Sequence, residues 1–354
     1  MGASRGRENC RLICMMRALL SRTPYEANEP QQRQRPLRLA RPDNPRGTIL
    51  NPMSGSLSDQ RNGKSVLVTG CSSGIGRATA LALDRAGFRV YAGVRREADA
   101  RELREVGSVA LQPVILDVTV QEQIEAVVTQ LQEEHSDQGV NALVNVAGIA
   151  SFEPIEALAA DRLRRIFEVN FFGPLILTQK MIPLLRKSSG RIVNVGSVGG
   201  HTTIPFGFSV CSSKHALESL TSGLRQELAP WGIHAIAVDP SSVATHGADG
   251  MVEQVEATIN ESFSAAHRGF YEKAVLDMAI SMHEQEMNGA APEAVGRVII
   301  QALTARHPKA RYRVGPHAGT IILLSRILPD RLFDRIKLRL TGIKMEKQPT
   351  SSPE

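Results

Sequence analysis

The chain has 354 residues and a formal net charge of +6, with 42% hydrophobic and 22% charged residues. This ordinary soluble composition is ample for a sizeable core, in one large α/β domain or two small ones. Ten arginines, no lysine and five acidic residues fall within residues 1–60, so the rest is nearly neutral and the charge balance gives no support to a nucleic-acid-binding face.

Residues 1–60 are rich in Arg, Gln, Pro and Asn, show no sustained periodicity and are expected to be disordered. Translation from Met53 would leave a short polar lead into the first strand. Cys10, Cys14, Cys71 and Cys211 make neither a paired framework nor a metal-ligand spacing, which points to a reduced, cytoplasmic compartment and to no metal. No apolar run reaches the ~18 residues that span a bilayer, and the N-terminus lacks the pattern of a secretory signal.

From Lys64 onward, strands alternate with helices. "SVLVTG" predicts a first strand and "GIGRATALALDRAG" a helix stopped at Gly87; "FRVYAGV" and "EADARELREVG" repeat the pair. "VALQPVILDV" contains a third strand, followed by an amphipathic helix in "VQEQIEAVVTQLQEEH". "VNALVNVAG" is a fourth strand. A long helix over about 157–187 precedes "GRIVNVGS", the fifth, and a helix over about 209–229 precedes "IHAIAVDP", the sixth. Apolar strands alternating with helices predict an α/β fold: one doubly wound, Rossmann-type parallel sheet over 64–340 with helices on both faces. Residues 246–290 break the alternation with four Met, Phe263, Phe270 and Tyr271, and are read either as a flap over a site beyond the strand ends or as an insertion of packed helices. Residues 341–354 are expected to be a flexible tail.

"VLVTGCSSGIG" sits where the first strand turns into the first helix. Gly70, Gly74 and Gly76 allow a tight turn and close approach of a pyrophosphate to the free N–H groups of the helix start. This spacing, with the later motifs, resembles the short-chain dehydrogenase/reductase family, nearest its hydroxysteroid and retinol dehydrogenase branch. The resemblance is carried by "TGCSSGIG", "LDV", "LVNVAG", "VNFFG", "VNVGSVGG" and "VCSSKHALES". It implies cofactor contacts from Gly70, Ser72, Ser73, Gly74, Ile75 and Gly76, from Asp117 and Val118 at the adenine, from Asn145, Ala147 and Gly148, and from Pro240, Val243 and Thr245. It places Ser197 at the catalytic serine, Asn170 at the relay asparagine, and Lys214 at the lysine that serves both catalysis and the nicotinamide ribose. It implies a homodimer or homotetramer built on the long helices at 157–187 and 209–229.

The end of the second strand carries Val94, Arg95 and Arg96 and no carboxylate, so a 2′-phosphate meets no repulsion and finds an arginine; NADP(H) is favoured over NAD(H), with Arg95 as its partner. The sequence departs from the family at three places. Val146 replaces the second asparagine of "NNAG", Ser241 replaces the glycine after Pro240, and Val210 stands where the catalytic tyrosine belongs. Valine neither gives nor takes a proton. Tyr25, Tyr91, Tyr271 and Tyr312 are the only tyrosines, so no shift of register restores one. Cys211 and Ser209 flank the position on neighbouring helix directions, His201 is expected on a surface loop, and Tyr271 lies in the flap. Three readings stay open: an oxidoreductase acting on an apolar alcohol or carbonyl of steroid, retinoid or lipid type, an NADP(H)-binding pseudoenzyme acting as sensor or scaffold, and a purely structural partner. "TIILLSRILPDRLFDRIKLRLTG" mixes apolar and basic residues and would either pack on its own domain or rest on a membrane surface.

Overall fold

The computed structural model describes residues 63–245 and 250–343. The expected N-terminal extension and all but the first residues of the expected tail lie outside the described residues. Seven strands form a single parallel sheet in the order β3-β2-β1-β4-β5-β6-β7. They are β1 (Ser65–Val68), β2 (Arg89–Val94), β3 (Leu111–Ile115), β4 (Ala142–Asn145), β5 (Arg191–Val195), β6 (His234–Pro240) and β7 (Arg311–Val314). The order reverses between β1 and β4, which opens a crevice at their carboxyl ends where doubly wound sheets take ligands.

Alternation along the strands builds two cores. Val66, Val68, Val90, Ala92, Val144, Val193 and Val238 face one side, under α1 (Gly74–Arg85) and α2 (Glu97–Val106). Leu67, Tyr91, Leu143, Ile192 and Ala235 face the other, under α3 (Gln121–Glu134) and the long helices described next. A one-residue shift would swap the two sets, so the register is strongly fixed. The helix expected over 157–187 is two helices, α4 (Ala160–Phe167) and α5 (Gly173–Ser188), joined by a π-helical segment, Glu168–Phe172. The extra residue in that turn is the kind of local widening that helices carry at functional positions, and Asn170 sits at its centre. A further long helix, α6 (Phe208–Glu227), follows the loop after β5.

The flap region is helical, with α7 (Met251–Ser262) and α8 (Ala265–Met287); residues 246–249 lie outside the described residues. α9 (Pro292–Thr304) returns to pack beside α1, where Gly296 would place an added Cβ only 3.4 Å from the Ala78 carbonyl oxygen. β7 adds a seventh strand beyond the six expected. Its sequence, RYRV, buries only Tyr312 and Val314, so its apolar signal is too short to stand out. α10 (Ala318–Ile327) and α11 (Asp330–Leu340) close the chain. α10 packs Ala318 and Ile322 against Val198, and Lys337 of α11 donates to the Thr203 carbonyl at 2.9 Å, so the C-terminal pair packs on its own domain.

Candidate active site

The turn after β1 is built on its glycines. Gly70 and Gly74 have φ of +71° and +51°, and Cβ atoms at Gly70 and Gly76 would fall 2.8 Å from the Ala147 Cα and 2.0 Å from the Gly70 carbonyl oxygen. No side chain fits at those two positions without moving the backbone. Ser73 caps α1 with extended geometry, and its hydroxyl makes no cap bond, so the first N–H groups of the helix stay open to a ligand. Thr245 lies against this turn, 3.3 Å from an added Gly74 Cβ. Ser72, Ser73, Gly74, Ala244 and Thr245 line a cleft of about 580 Å³. These residues fit a dinucleotide pyrophosphate.

At the other end of the crevice, Lys214 of α6 donates from Nζ to the Val195 carbonyl at 2.8 Å, at the carboxyl end of β5. An added Gly148 Cβ would lie 3.6 Å from the same Nζ and 3.3 Å from Asn170 Oδ1. Burial lowers the ammonium pKa to about 8, against the opposing charges of Asp239 and Glu218. Asn170 is fully buried. Its Nδ2 donates to the Ile149 carbonyl at 2.9 Å and to Ser213 Oγ at 2.9 Å, and its Oδ1 accepts from the Ile149 N–H at 2.8 Å. It thereby pins the segment after Gly148 to α6. Ser197 caps the short turn Val198–Gly200, with Oγ accepting from the Gly199 N–H at 3.0 Å. The structure thus brings Ser197, Lys214, Asn170 and Gly148 to one end of the glycine turn. Val210, one helical turn before Lys214, is half-buried there.

Comparison with known proteins assigns the chain to a family. The family model for short chain dehydrogenases matches residues 64–256. The chain belongs to the short-chain dehydrogenase family. It is 33% identical over 278 residues to retinol dehydrogenase 5 of Mus musculus, covering 77% of this chain and 86% of that protein. It is 35% identical to estradiol 17-beta-dehydrogenase 2 of Rattus norvegicus, covering 77% and 74%. A solved short chain dehydrogenase from Burkholderia cenocepacia in complex with NADP superposes with a TM-score of 0.58 at 25% identity, covering 79% of this chain and 98% of that one.

The remaining expected residues take different roles in this short-chain dehydrogenase. Asp117 Oδ1 accepts from the Thr119 N–H and hydroxyl at 2.9 and 2.7 Å; burial raises its carboxyl, but these bonds, with Arg165 and Arg95, outweigh it and hold the pKa low. Val118 packs against the helix start at Gly173. Asn145 Nδ2 donates to Asn194 Oδ1 at 2.8 Å, and Asn194 passes the ladder to Thr221 of α6, so these amides brace β4 and β5 against the helix. Arg96 is spent on Asp99, with bonds of 3.0 and 2.6 Å, whereas Arg95 is exposed and makes no hydrogen bond or ion pair among the described residues. Val243 bridges to Ala290, and the Ala244 N–H donates to the Ala290 carbonyl at 3.0 Å, which fastens the loop after Pro240 to the end of the flap. Ser241, at the family's glycine, turns its hydroxyl to the Pro316 carbonyl at 2.8 Å.

One expectation about substitute proton donors is corrected, and the other candidates have partners. His201 is not a surface-loop residue: its side chain is 10% exposed, with Nε2 3.0 Å from Asp239 Oδ2. Tyr271 does not face the crevice freely, because its hydroxyl donates to Glu156 at 2.6 Å. Cys211 is buried, which raises its thiol pKa, and Ser209 donates to the Ser151 carbonyl at 2.9 Å.

Sequence reasoning missed a buried charge cluster behind Lys214. Arg311 of β7 donates to Asp239 Oδ2 at 2.6 Å and to Glu218 Oε2 at 2.5 Å, with His201 alongside. His201, Glu218 and Asp239 could each offer a ligand atom within 4.8 Å of one another, but the Arg311 guanidinium already sits among them as the cation. Burial and the Asp239 charge push the Glu218 carboxyl up; burial also opposes the Asp239 charge, but bonds from His201 and Glu218 and the Arg311 charge hold that carboxyl down. The only sequence signal was Glu218, one helical turn after Lys214.

Proposed function

We propose that the protein is an oxidoreductase that uses NADP(H) and acts on an apolar alcohol or carbonyl of retinoid, steroid or lipid type. The observation that carries this reading is the Lys214 ammonium, held on the Val195 carbonyl beside Gly148 at one end of a turn that only glycines can form. When bound, the nicotinamide supplies or accepts a hydride at the substrate carbon. The chain's residues do the rest. Open N–H groups of the turn and of α1 bind the pyrophosphate, Arg95 pairs with a 2′-phosphate, and Asp117 and Val118 border the adenine. Lys214 holds the ribose hydroxyls, with its charge kept available by Asp239 and Glu218. Ser197 Oγ orients the substrate oxygen and stabilises charge that develops on it. The apolar character of the substrate rests on the names of the relatives and on the cluster that α7 and α8 make with Phe152 and Phe206.

Val210 favours a second reading, a cofactor-binding protein with impaired catalysis. Titrating NADPH and NADH by fluorescence, with turnover of a retinoid and steroid panel, separates the two. Tighter NADPH binding with turnover supports the oxidoreductase. Binding without turnover supports the sensor or scaffold, and tighter NADH binding overturns the cofactor assignment. A homodimer or homotetramer built on α4, α5 and α6 is part of this proposal, since the resemblance places the family's subunit contact on those helices.

A further inference from the structure

The loop after β4 is hydrogen-bonded to the segment that leads from Ser197 into α6. The Glu153 N–H donates to the Phe206 carbonyl at 2.9 Å, and Ser209 Oγ donates to the Ser151 carbonyl at 2.9 Å. Ser209 immediately precedes Val210, so these bonds hold Ser151 and Glu153 against the first turn of α6, beside the place of the missing tyrosine. Ser151 is half-buried, while Glu153 is 2% exposed. Ser151 Oγ and Glu153 Oε1 are 2.8 Å apart, and Glu153 Oε2 is buried with no hydrogen-bond partner among the described residues. A buried carboxyl oxygen without a partner is costly and calls for an explanation.

One cation approaches this carboxyl, at long range and with most of its hydrogen bonds made elsewhere. Arg162 of α4 gives Nη1 to Thr258 at 3.0 Å and Nη2 to Ser262 at 2.9 Å, both on α7, and lies 3.6 Å from Glu261. Only its Nε approaches Glu153, at 3.6 Å. Glu156 is paired with Tyr271 of α8. Burial therefore pushes the Glu153 carboxyl up, against the Ser151 bond and the Arg162 charge.

The geometry points to Ser151 and Glu153 as a proton relay that stands in for the absent tyrosine hydroxyl. Ser151 is the group that meets the substrate oxygen, and Glu153 is the positioning carboxyl that acts through it. The inference rests on the oxidoreductase reading above. In the reducing direction the substrate carbonyl carbon gains the hydride, and the π pair moves to oxygen. The Ser151 hydroxyl gives its proton to that oxygen and takes the Glu153 proton. The carboxylate left behind is reprotonated from solvent. Oxidation of the alcohol runs the same transfers backwards. A carboxyl that merely pins the loop would affect stability but not the proton.

The test compares wild type, Ser151→Ala, Glu153→Gln, Val210→Tyr and Val210→Tyr/Glu153→Gln for NADPH affinity, turnover against pH, and the carboxyl infrared band of the cofactor-free protein. Expected in Ser151→Ala and Glu153→Gln are NADPH affinity within about twofold of wild type and a kcat lower by about 10²-fold or more. The Glu153→Gln profile loses an acid limb, and its infrared spectrum loses a carboxyl that titrates above the ordinary glutamate range. Val210→Tyr/Glu153→Gln regains turnover, because the tyrosine bypasses the relay. A kcat near wild type with an unchanged pH profile in Glu153→Gln overturns the relay, as does failure of the double variant to regain turnover. If Glu153→Gln does not fold, Ser151→Ala decides alone. An inactive wild type with an active Val210→Tyr overturns the relay and leaves the oxidoreductase ancestry of the site standing. Inactivity of both overturns the oxidoreductase reading together with the relay.

Discussion

Lys214 carries the clearest consequence at the residue scale. Its folded pKa, about 8, lies below the ordinary lysine value of 10.5 because burial disfavours the charge. Below pH 8 both folded and unfolded states are charged, and the burial penalty is constant. Between about 8 and 10.5 the unfolded chain binds more protons, so this group makes stability rise with pH across that window. Lys214→Met is expected to remove that rise in urea denaturation at stepped pH. It is also expected to weaken NADPH binding by about tenfold or more through the lost charge-assisted bonds to ribose. Arg95→Glu places a carboxylate where a 2′-phosphate would sit, and paired fluorescence titrations should show preference moving from NADPH to NADH. Gly76→Ala puts a methyl 2.0 Å from the Gly70 carbonyl oxygen. It should lower stability by about 1–3 kcal/mol and abolish cofactor binding, read by denaturation and titration.

At the scale of elements, the sequence was most informative where chemistry is local. The glycine turn, the six apolar strands and the helix starting near Phe208 are legible because each is one short pattern. β7 was not, because an alternating four-residue strand with two arginines carries little apolar signal. The π-helical segment around Asn170 escaped for another reason: one extra residue in a turn leaves helical periodicity almost unchanged. The cluster of Arg311, Asp239, Glu218 and His201 joins β7, β6, α6 and the loop after β5, and only the folded sheet brings those distant segments together. For the same reason nothing in the local sequence singles out Glu153. Removing the cation from that cluster should be severe. Arg311→Met leaves Asp239 and Glu218 facing one another without the guanidinium between them and is expected to cost about 3–5 kcal/mol at neutral pH, measured by urea denaturation. The loss should shrink as pH falls, because protonating the raised Glu218 carboxyl relieves the repulsion.

For the whole molecule, a seven-stranded parallel sheet places the glycine turn, the Lys214 end of α6 and the loop after β4 around one crevice, and Val243 bridges to Ala290 after α8. Among the described residues no helix is long and apolar enough to cross a membrane. Leu323 and Ile327 of α10 are nonetheless 55% and 63% exposed, on the helix that packs Ala318 and Ile322 against Val198. Membership of the short-chain dehydrogenases sets the chain among oxidoreductases, and Val210 turns the account on where the proton comes from. The most direct measurement is single-turnover oxidation of bound NADPH by a retinoid or steroid carbonyl, followed in wild type and in Val210→Tyr. The account predicts NADPH binding in both, slow turnover in wild type, and faster turnover in Val210→Tyr by up to about 10²-fold. Failure of both proteins to bind NADPH, or to oxidise it with any carbonyl of the panel, would contradict it.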